Sequence, residues 1–327
     1  MIMKRFLLTI LCSLFMFVSY AQSSQIAVLS HNGTASVFYG ATALCDAHAA
    51  ASHGDAITLS AGYFKSVDIT KAITLRGASM ELDTVQNVEP TIITGRFNIA
   101  IPDTVSQRLV IEAIYSNDEI YINGRLTNAL FNKCRFYELS SISGVMNNAN
   151  FVHCLVTEGL NFTTGSVSCI NSVIAYPRGN CSYFFNNCVV RNVVVYSSYF
   201  KNCIIYLTST NGDLSESNMA FNCVGLGEIP NMFDDVPNAT NIISTCAEVF
   251  KTYTGEIFEK LECKNFELTD AAKVKFLGTD GKEVGIYGGT FPFSSTPTNP
   301  QITKCNVASK STIDGKLSVD IEVKVVE

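Results

Sequence analysis

Phe131-Asn132-Lys133-Cys134, Phe151-Val152-His153-Cys154, Phe185-Asn186-Asn187-Cys188 and Phe200-Lys201-Asn202-Cys203 repeat one four-residue phrase through the middle of the chain. Two looser copies, Ser166-Val167-Ser168-Cys169 and Phe221-Asn222-Cys223, complete a series of cysteines 20, 15, 19, 15 and 20 residues apart. Self-similarity at this period marks a solenoid. Each cysteine leads into a short β-rich run such as Val189-Val190 or Ile204-Ile205-Tyr206, and Asn, Ser and Gly punctuate the runs. A leucine-rich repeat shares the period but needs a leucine framework and an alternating helix that this stretch lacks. Short strands between turn residues point instead to stacked β-coils. In such a coil, equivalent residues of successive turns lie about 4.8 Å apart, so Phe, Cys and Asn are expected to form ladders. Phe and Cys would fill the core, where a thiol behaves as a small hydrophobe, and Asn would occupy the bends. Parallel, in-register side chains point the same way, which disfavours disulfides between them. The chain has no Cys-x-x-Cys pair of the kind zinc sites use, so the cysteines read as packing residues.

Upstream the same rhythm continues without cysteine, in Ile57-Thr58-Leu59, Val67-Asp68-Ile69, Ile73-Thr74-Leu75, Thr91-Ile92-Ile93, Leu109-Val110-Ile111 and Ile120-Tyr121-Ile122. Apolar alternation over such short runs is strand-like. Ahead of it, Ala41 to Ser52 is alanine-rich, with Leu44, Cys45 and His48 at helical spacing, and predicts a cap helix. A cap has a physical purpose, because a parallel solenoid otherwise ends in an open strand edge. The stretch Gly54-Asp55-Ala56-Ile57-Thr58-Leu59-Ser60-Ala61-Gly62-Tyr63-Phe64, followed by Ile69-Thr70-Lys71-Ala72-Ile73-Thr74-Leu75-Arg76-Gly77, resembles the opening coils of the pectin-lyase-like right-handed parallel β-helix superfamily. That resemblance implies a helix over the first coil, a Gly-Asp turn into the first strand, and coils over roughly residues 35–275.

Toward the end, Val284-Gly285-Ile286-Tyr287-Gly288-Gly289 and a proline-bearing stretch to Pro300 lead into two expected strands, 301–307 and 316–326. This tail resembles those of secreted bacterial β-helix repeat proteins. At the other end, Lys4 and Arg5, the apolar run Phe6 to Val18 and Ser19-Tyr20-Ala21 read as a cleavable export signal; thirteen apolar residues are too few to span a bilayer. The expected organisation is thus a signal peptide over 1–21, an N-terminal strand and cap helix over 22–53, a parallel β-helix over 54–278 and a capping tail over 279–327. The expected class is all-β, in a periplasmic, cell-surface or extracellular setting.

Losing Lys4 and Arg5 from a chain of 23 Lys+Arg and 29 Asp+Glu deepens the formal charge from −6 to −8. Nucleic acid is a poor partner for such a surface, and no later run approaches the roughly 18 apolar residues of a membrane helix. Among polygalacturonase-like signatures only Asp234-Asp235 occurs, in a turn before Pro237. A polysaccharide lyase needs a base for the proton beside a uronate carboxylate and a cation for the charge that follows; Arg178, Arg191 and Lys201, in neighbouring coils, are the candidates. Residues 202–250 hold no Lys or Arg but include Asp213, Glu216, Asp234 and Asp235, oxygen ligands that suit calcium. No cofactor is otherwise required. His153 takes a rung filled elsewhere by Asn187, Asn202 and Asn222, which favours a ladder role over catalysis. The chain has no tryptophan, but outward tyrosines among Tyr115, Tyr121, Tyr137, Tyr176, Tyr183, Tyr196, Tyr199 and Tyr206 could stack on sugar rings. Asp83-Thr84-Val85 and Asp103-Thr104-Val105 match a short O-glycosylation acceptor. The preferred expectation is an exported, non-catalytic protein binding a polysaccharide or envelope glycan; a lyase or hydrolase of acidic glycans and a structural or adhesive spacer are the alternatives.

Overall fold

The computed structural model describes residues 25–82, 88–207, 214, 217–227, 229, 232–234, 236, 240–252, 266–296, 301–307, 314–316 and 318–324. The expected signal peptide (1–21) and Asp83-Thr84-Val85 lie outside the described residues. The chain is 48% strand and 8% helix, and its parallel coils stack into a β-solenoid of about eight turns. Three sheets run along it. In the first, Ile57, Leu75, Ile111, Phe131, Phe151, Cys169, Phe185, Phe200 and Ala220 stand in register on nine successive strands. The second follows the cysteine corner and aligns Tyr63, Ile92, Tyr115, Arg135, Leu155, Val173, Val189, Ile204, Val224 and Ile242. The third aligns Asn98, Tyr121, Ser140, Asn161, Arg178 and Val194.

The expected phenylalanine ladder is present: Phe131 and Phe151 stack at 4.6 Å, and Phe185 and Phe200 at 4.9 Å, all four fully buried. Two looser copies of the phrase sit in a different phase from that expected. Cys169 pairs with Phe151 and Phe185 and so fills a phenylalanine rung, while Ser172 takes the thiol rung, its Oγ accepting from the Cys154 N–H at 3.0 Å. Likewise Ala220 occupies the aromatic rung and Phe221 points outward beside Lys201. Serine substitutes at a thiol rung because the rung's polar work is the same. Cys154 Sγ donates to Phe131 O and Val152 O, and Ser172 Oγ donates to Phe151 O and Ile170 O. Cys45, Cys134, Cys154, Cys169, Cys181, Cys188, Cys203, Cys223 and Cys246 are free thiols. Burial pushes the thiols of Cys134, Cys169, Cys203 and Cys223 well up, so they stay protonated donors.

Just before each thiol rung the backbone turns through the left-handed region: φ is 56° at Ala113, 52° at Lys133 and His153, 44° at Asn171, 53° at Asn187, 55° at Asn202 and 52° at Asn222. Asn is the L-residue that tolerates this conformation best, which explains the Asn ladder. Each turning residue still donates its N–H to the next coil, as Lys133 does to Val152 O and Asn187 to Lys201 O.

The N-terminal cap is more than a helix. Strands β1 (Ile26–His31) and β2 (Thr34–Tyr39) form a hairpin, and β1 pairs antiparallel with β3 (Ala56–Leu59), the first strand of the first sheet. The helix Ala43–Ala50 then buries Ala43, Leu44, Ala47 and His48 over the coil. At the far end, Ile229, Met232 and Val236 close the core. The described part of the tail takes a lateral path. It runs back along the turning corner: Asn222 Nδ2 donates to Leu277 O, the Thr279 N–H to Asn202 Oδ1, Asn171 Nδ2 to Ile286 O and Gly288 O, and Lys133 Nζ to Thr296 O; the His153 Nε2 is 3.0 Å from Phe291 O. This strap, with the helices Cys246–Val249 and Asp270–Lys275, covers the outer side of the second sheet. Leu155, Val173, Val189, Ile204 and Val224 are buried there against Val249, Phe276, Val284, Ile286 and Phe293. Beyond it, strands Gln301–Val307 and Val319–Lys324 form an antiparallel pair, as the sequence predicts.

Replacing Asn171 by alanine should remove two amide hydrogen bonds, about 0.5–1.5 kcal/mol each, and add about 1–2 kcal/mol of left-handed strain. Asn171→Gly should lose only the bonds, so denaturant unfolding should rank wild type above Gly above Ala. Equal stability of the Gly and Ala variants would refute the backbone demand at this corner. A second test concerns pH. Burial holds the His153 imidazole below its usual value, with the Phe291 carbonyl opposing and Lys133 adding to the effect. The unfolded chain therefore takes up this proton first as pH falls below about 6.5, and stability is lost on acidification. Melting curves at about pH 7 and about pH 5 should show His153→Asn losing less stability than wild type.

Candidate functional site

Of the three outer faces, the second is covered from Leu155 to Val224 by the chain's own tail, and the first and third are open to a ligand. Of these two the first carries the longer ladder, nine aligned residues against six. Its outward positions lead from Val110 and Leu130 through Asn150 and Ser168 to Phe184, Tyr199 and Met219. Strand alternation sets this arrangement: in Ser182–Asn186, Tyr183 and Phe185 point into the core, so Phe184 faces out. Phe184 is 49% exposed and Met219 48%. The Tyr199 ring lies 5.4 Å from that of Phe221, tilted against it. Beside this apolar row is a shallow cavity of about 180 Å³ lined by Asn148, Asn150, Ser166, Val167, Ser168 and Phe184. Ser166 Oγ donates to Asn148 Oδ1 at 2.9 Å and accepts from the Asn148 N–H at 3.1 Å, while Asn150 Nδ2 donates to Asn148 O at 3.0 Å. The result is an aromatic platform edged by amides and hydroxyls.

Charge on the same face is self-contained. Glu112, buried, is met by Arg76 Nε at 3.3 Å and by Asn132 Nδ2 at 2.9 Å. Lys201 stands five coils beyond Glu112 in the same row, between Asn186 and Phe221.

The third face is a polar strip with paired charges. Glu119 accepts from Ser140 Oγ at 2.9 Å and faces Arg96 Nη2 at 3.3 Å. Its hydrogen bond with Tyr121 raises that phenol's pKa, and the Arg96 guanidinium lies 5.3 Å from the Tyr121 ring centre. Glu138, in register with Glu119, is held by Arg178 Nη2 at 2.6 Å. Both carboxylates are thus engaged by arginines rather than facing an open reaction centre.

The residues proposed for lyase chemistry fall on three different strands of the coil. Arg178 is on the third sheet beside Glu138. Arg191 ends a strand of the second sheet, its guanidinium 5.2 Å from the Tyr176 ring centre. Lys201 is on the first. Arg178 and Arg191 thus flank the Tyr176 corner, and Lys201 does not join them. Among the proposed calcium ligands, Asp213, Glu216 and Asp235 lie outside the described residues, and Asp234 is exposed in a turn. Among the described residues no three His, Cys, Asp or Glu side chains gather as metal ligands do. The tyrosines do not form one strip. Tyr183 is fully buried, its hydroxyl donating to Leu160 O and Arg178 O, and Tyr206 packs under the tail. Tyr137 and Tyr196 are exposed, and Tyr199 belongs to the platform. Thr104 sits in an exposed turn. Sequence reading passed over Phe184, although its signal was present: in Tyr183-Phe184-Phe185 one aromatic of three must face outward.

Arg178→Ala should cost under about 1 kcal/mol, because its ion pair is partly solvated, and the loss should shrink in high salt. Melting curves at two salt concentrations would reveal a larger, salt-independent cost if Arg178 did more than pair with Glu138. No family model, curated protein or solved structure matches the chain.

Proposed function

We propose that the protein is an exported, non-catalytic parallel β-helix of the pectin-lyase-like type whose first-sheet face binds an extended glycan. The platform of Phe184, Tyr199 and Met219 beside Asn148, Asn150, Ser166 and Ser168 carries this reading. A sugar ring has apolar C–H faces and a polar rim. Aromatic side chains offer a large, rigid surface to the first, and amides and hydroxyls offer donors and acceptors to the second. The ladder repeats these groups at the coil spacing of about 4.8 Å, which suits a linear ligand running along the solenoid. The opening coils, Gly54 to Gly77, support the superfamily assignment, and the leader-like start of the chain supports export.

The test is binding of the full chain, from Gln22 onward, to a panel of neutral and acidic polysaccharides, measured by calorimetry and followed for products. A bound polysaccharide without product formation is the expected result. Phe184→Ala should weaken it about tenfold, equivalent to about 1.4 kcal/mol, while stability shifts by no more than about 0.5 kcal/mol, since the ring is half exposed. Binding that is indifferent to Phe184→Ala and Tyr199→Ala would remove the platform from the reading. Ultraviolet absorbance from unsaturated uronate products would replace it with a lyase. Silence across the panel would favour a spacer.

A further inference from the structure

Five of the seven arginines among the described residues meet an acid or a ring. Arg76, Arg96, Arg135 and Arg178 pair with Glu112, Glu119, Glu81 and Glu138, and Arg191 lies over Tyr176. Among the described residues, Arg108 and Arg125 are the arginines shown with neither an ion pair nor a ring, and both residues line one cavity of about 210 Å³. The cavity lies at the bend that leads into the first sheet, several coils before the platform. Their backbones are fixed. Arg108 precedes Leu109 and Arg125 precedes Leu126, both buried in the core, and the strand Arg125–Thr127 is paired to Val145, Met146 and Asn147.

We propose that this cavity is a second binding site, for a small hydroxylated monocarboxylate of the sugar-acid class. Two arginines lining one concavity suit a planar oxyanion, which a guanidinium can meet with a two-pronged hydrogen bond. Asp103 also lines the cavity, its Oδ1 accepting the Arg125 backbone N–H at 3.3 Å. With it the lining holds one net positive charge, which matches a single carboxylate and disfavours a polyanion. Gln107, Thr127 and Asn128 add amides and a hydroxyl for ligand hydroxyls. The volume falls below the range of about 300–1,000 Å³ of larger ligand sites, so one ring or a short acyclic acid is the expected size. Positive charge held in a concavity of an acidic protein also concentrates anions there.

Titration of D-glucuronate into the full chain, from Gln22 onward, tests the assignment, with D-glucose as the matched neutral sugar and inorganic sulfate as a bare oxyanion. One saturable site for glucuronate is expected, with glucose and sulfate each at least tenfold weaker. Arg108→Gln and Arg125→Gln should each reduce glucuronate affinity at least tenfold with unchanged melting curves, and Phe184→Ala should leave it unaltered. Glucose binding as well as glucuronate, sulfate matching it, retention of affinity in both arginine variants, or no saturable binding would each overturn the proposal. Because the site stands apart from the platform, its failure would leave the polysaccharide test untouched, and the reverse also holds.

Discussion

The structure depends on one backbone event repeated in coil after coil: a residue turns left-handed and still passes its N–H to the coil above. Ala113, Lys133, His153, Asn171, Asn187 and Asn202 pass it to a backbone carbonyl, and Asn222 passes it to Thr240 Oγ1. At Cys134, Cys154, Ser172 and Cys188 the thiol or hydroxyl that follows bridges the same corner, bonding carbonyls of its own coil and the one before it. A buried bend is where a solenoid would otherwise leave backbone groups without partners, at a cost of about 1–3 kcal/mol each. Satisfying it in the same way each time lets the aromatic rungs stack beside it.

With the core settled, function is a matter of which outer faces remain uncovered. The tail removes the second sheet from contention, and pairing of carboxylates with arginines neutralises much of the third. The first sheet keeps an uncovered aromatic row, and the bend beside it keeps two uncommitted cations. Both sites come from departures from the local pattern: a phenylalanine facing water, and arginines without acids in a chain where acids are the more numerous.

Much of this was legible in the residues, and the exceptions have physical causes. The Phe and Cys rungs, the short upstream strands and the cap helix announced themselves because each is set by local periodicity. The phase of Cys169 did not, because a small apolar thiol fits an aromatic rung as well as its own, and only the pairing with Phe151 and Phe185 decides between them. The strap was invisible for another reason. Its partners lie 55 to 163 residues away along the chain, and the groups it offers the corner are largely backbone carbonyls, which carry no sequence signature. Arg178, Arg191 and Lys201 looked like one group because neighbouring coils suggested nearness, yet a coil distributes its side chains around three faces.

The path of the strap has a consequence for how the molecule comes together. Its residues meet Asn222, Asn202, Asn171, His153 and Lys133 in strict order, so it acts as a ruler laid against the finished stack. If one coil slipped past its neighbour, every later mark would fall out of step and the asparagine amides would face empty backbone. Docking of the tail thereby inspects the winding that precedes it, and a miswound chain would be left with an apolar flank exposed to whatever quality control it meets.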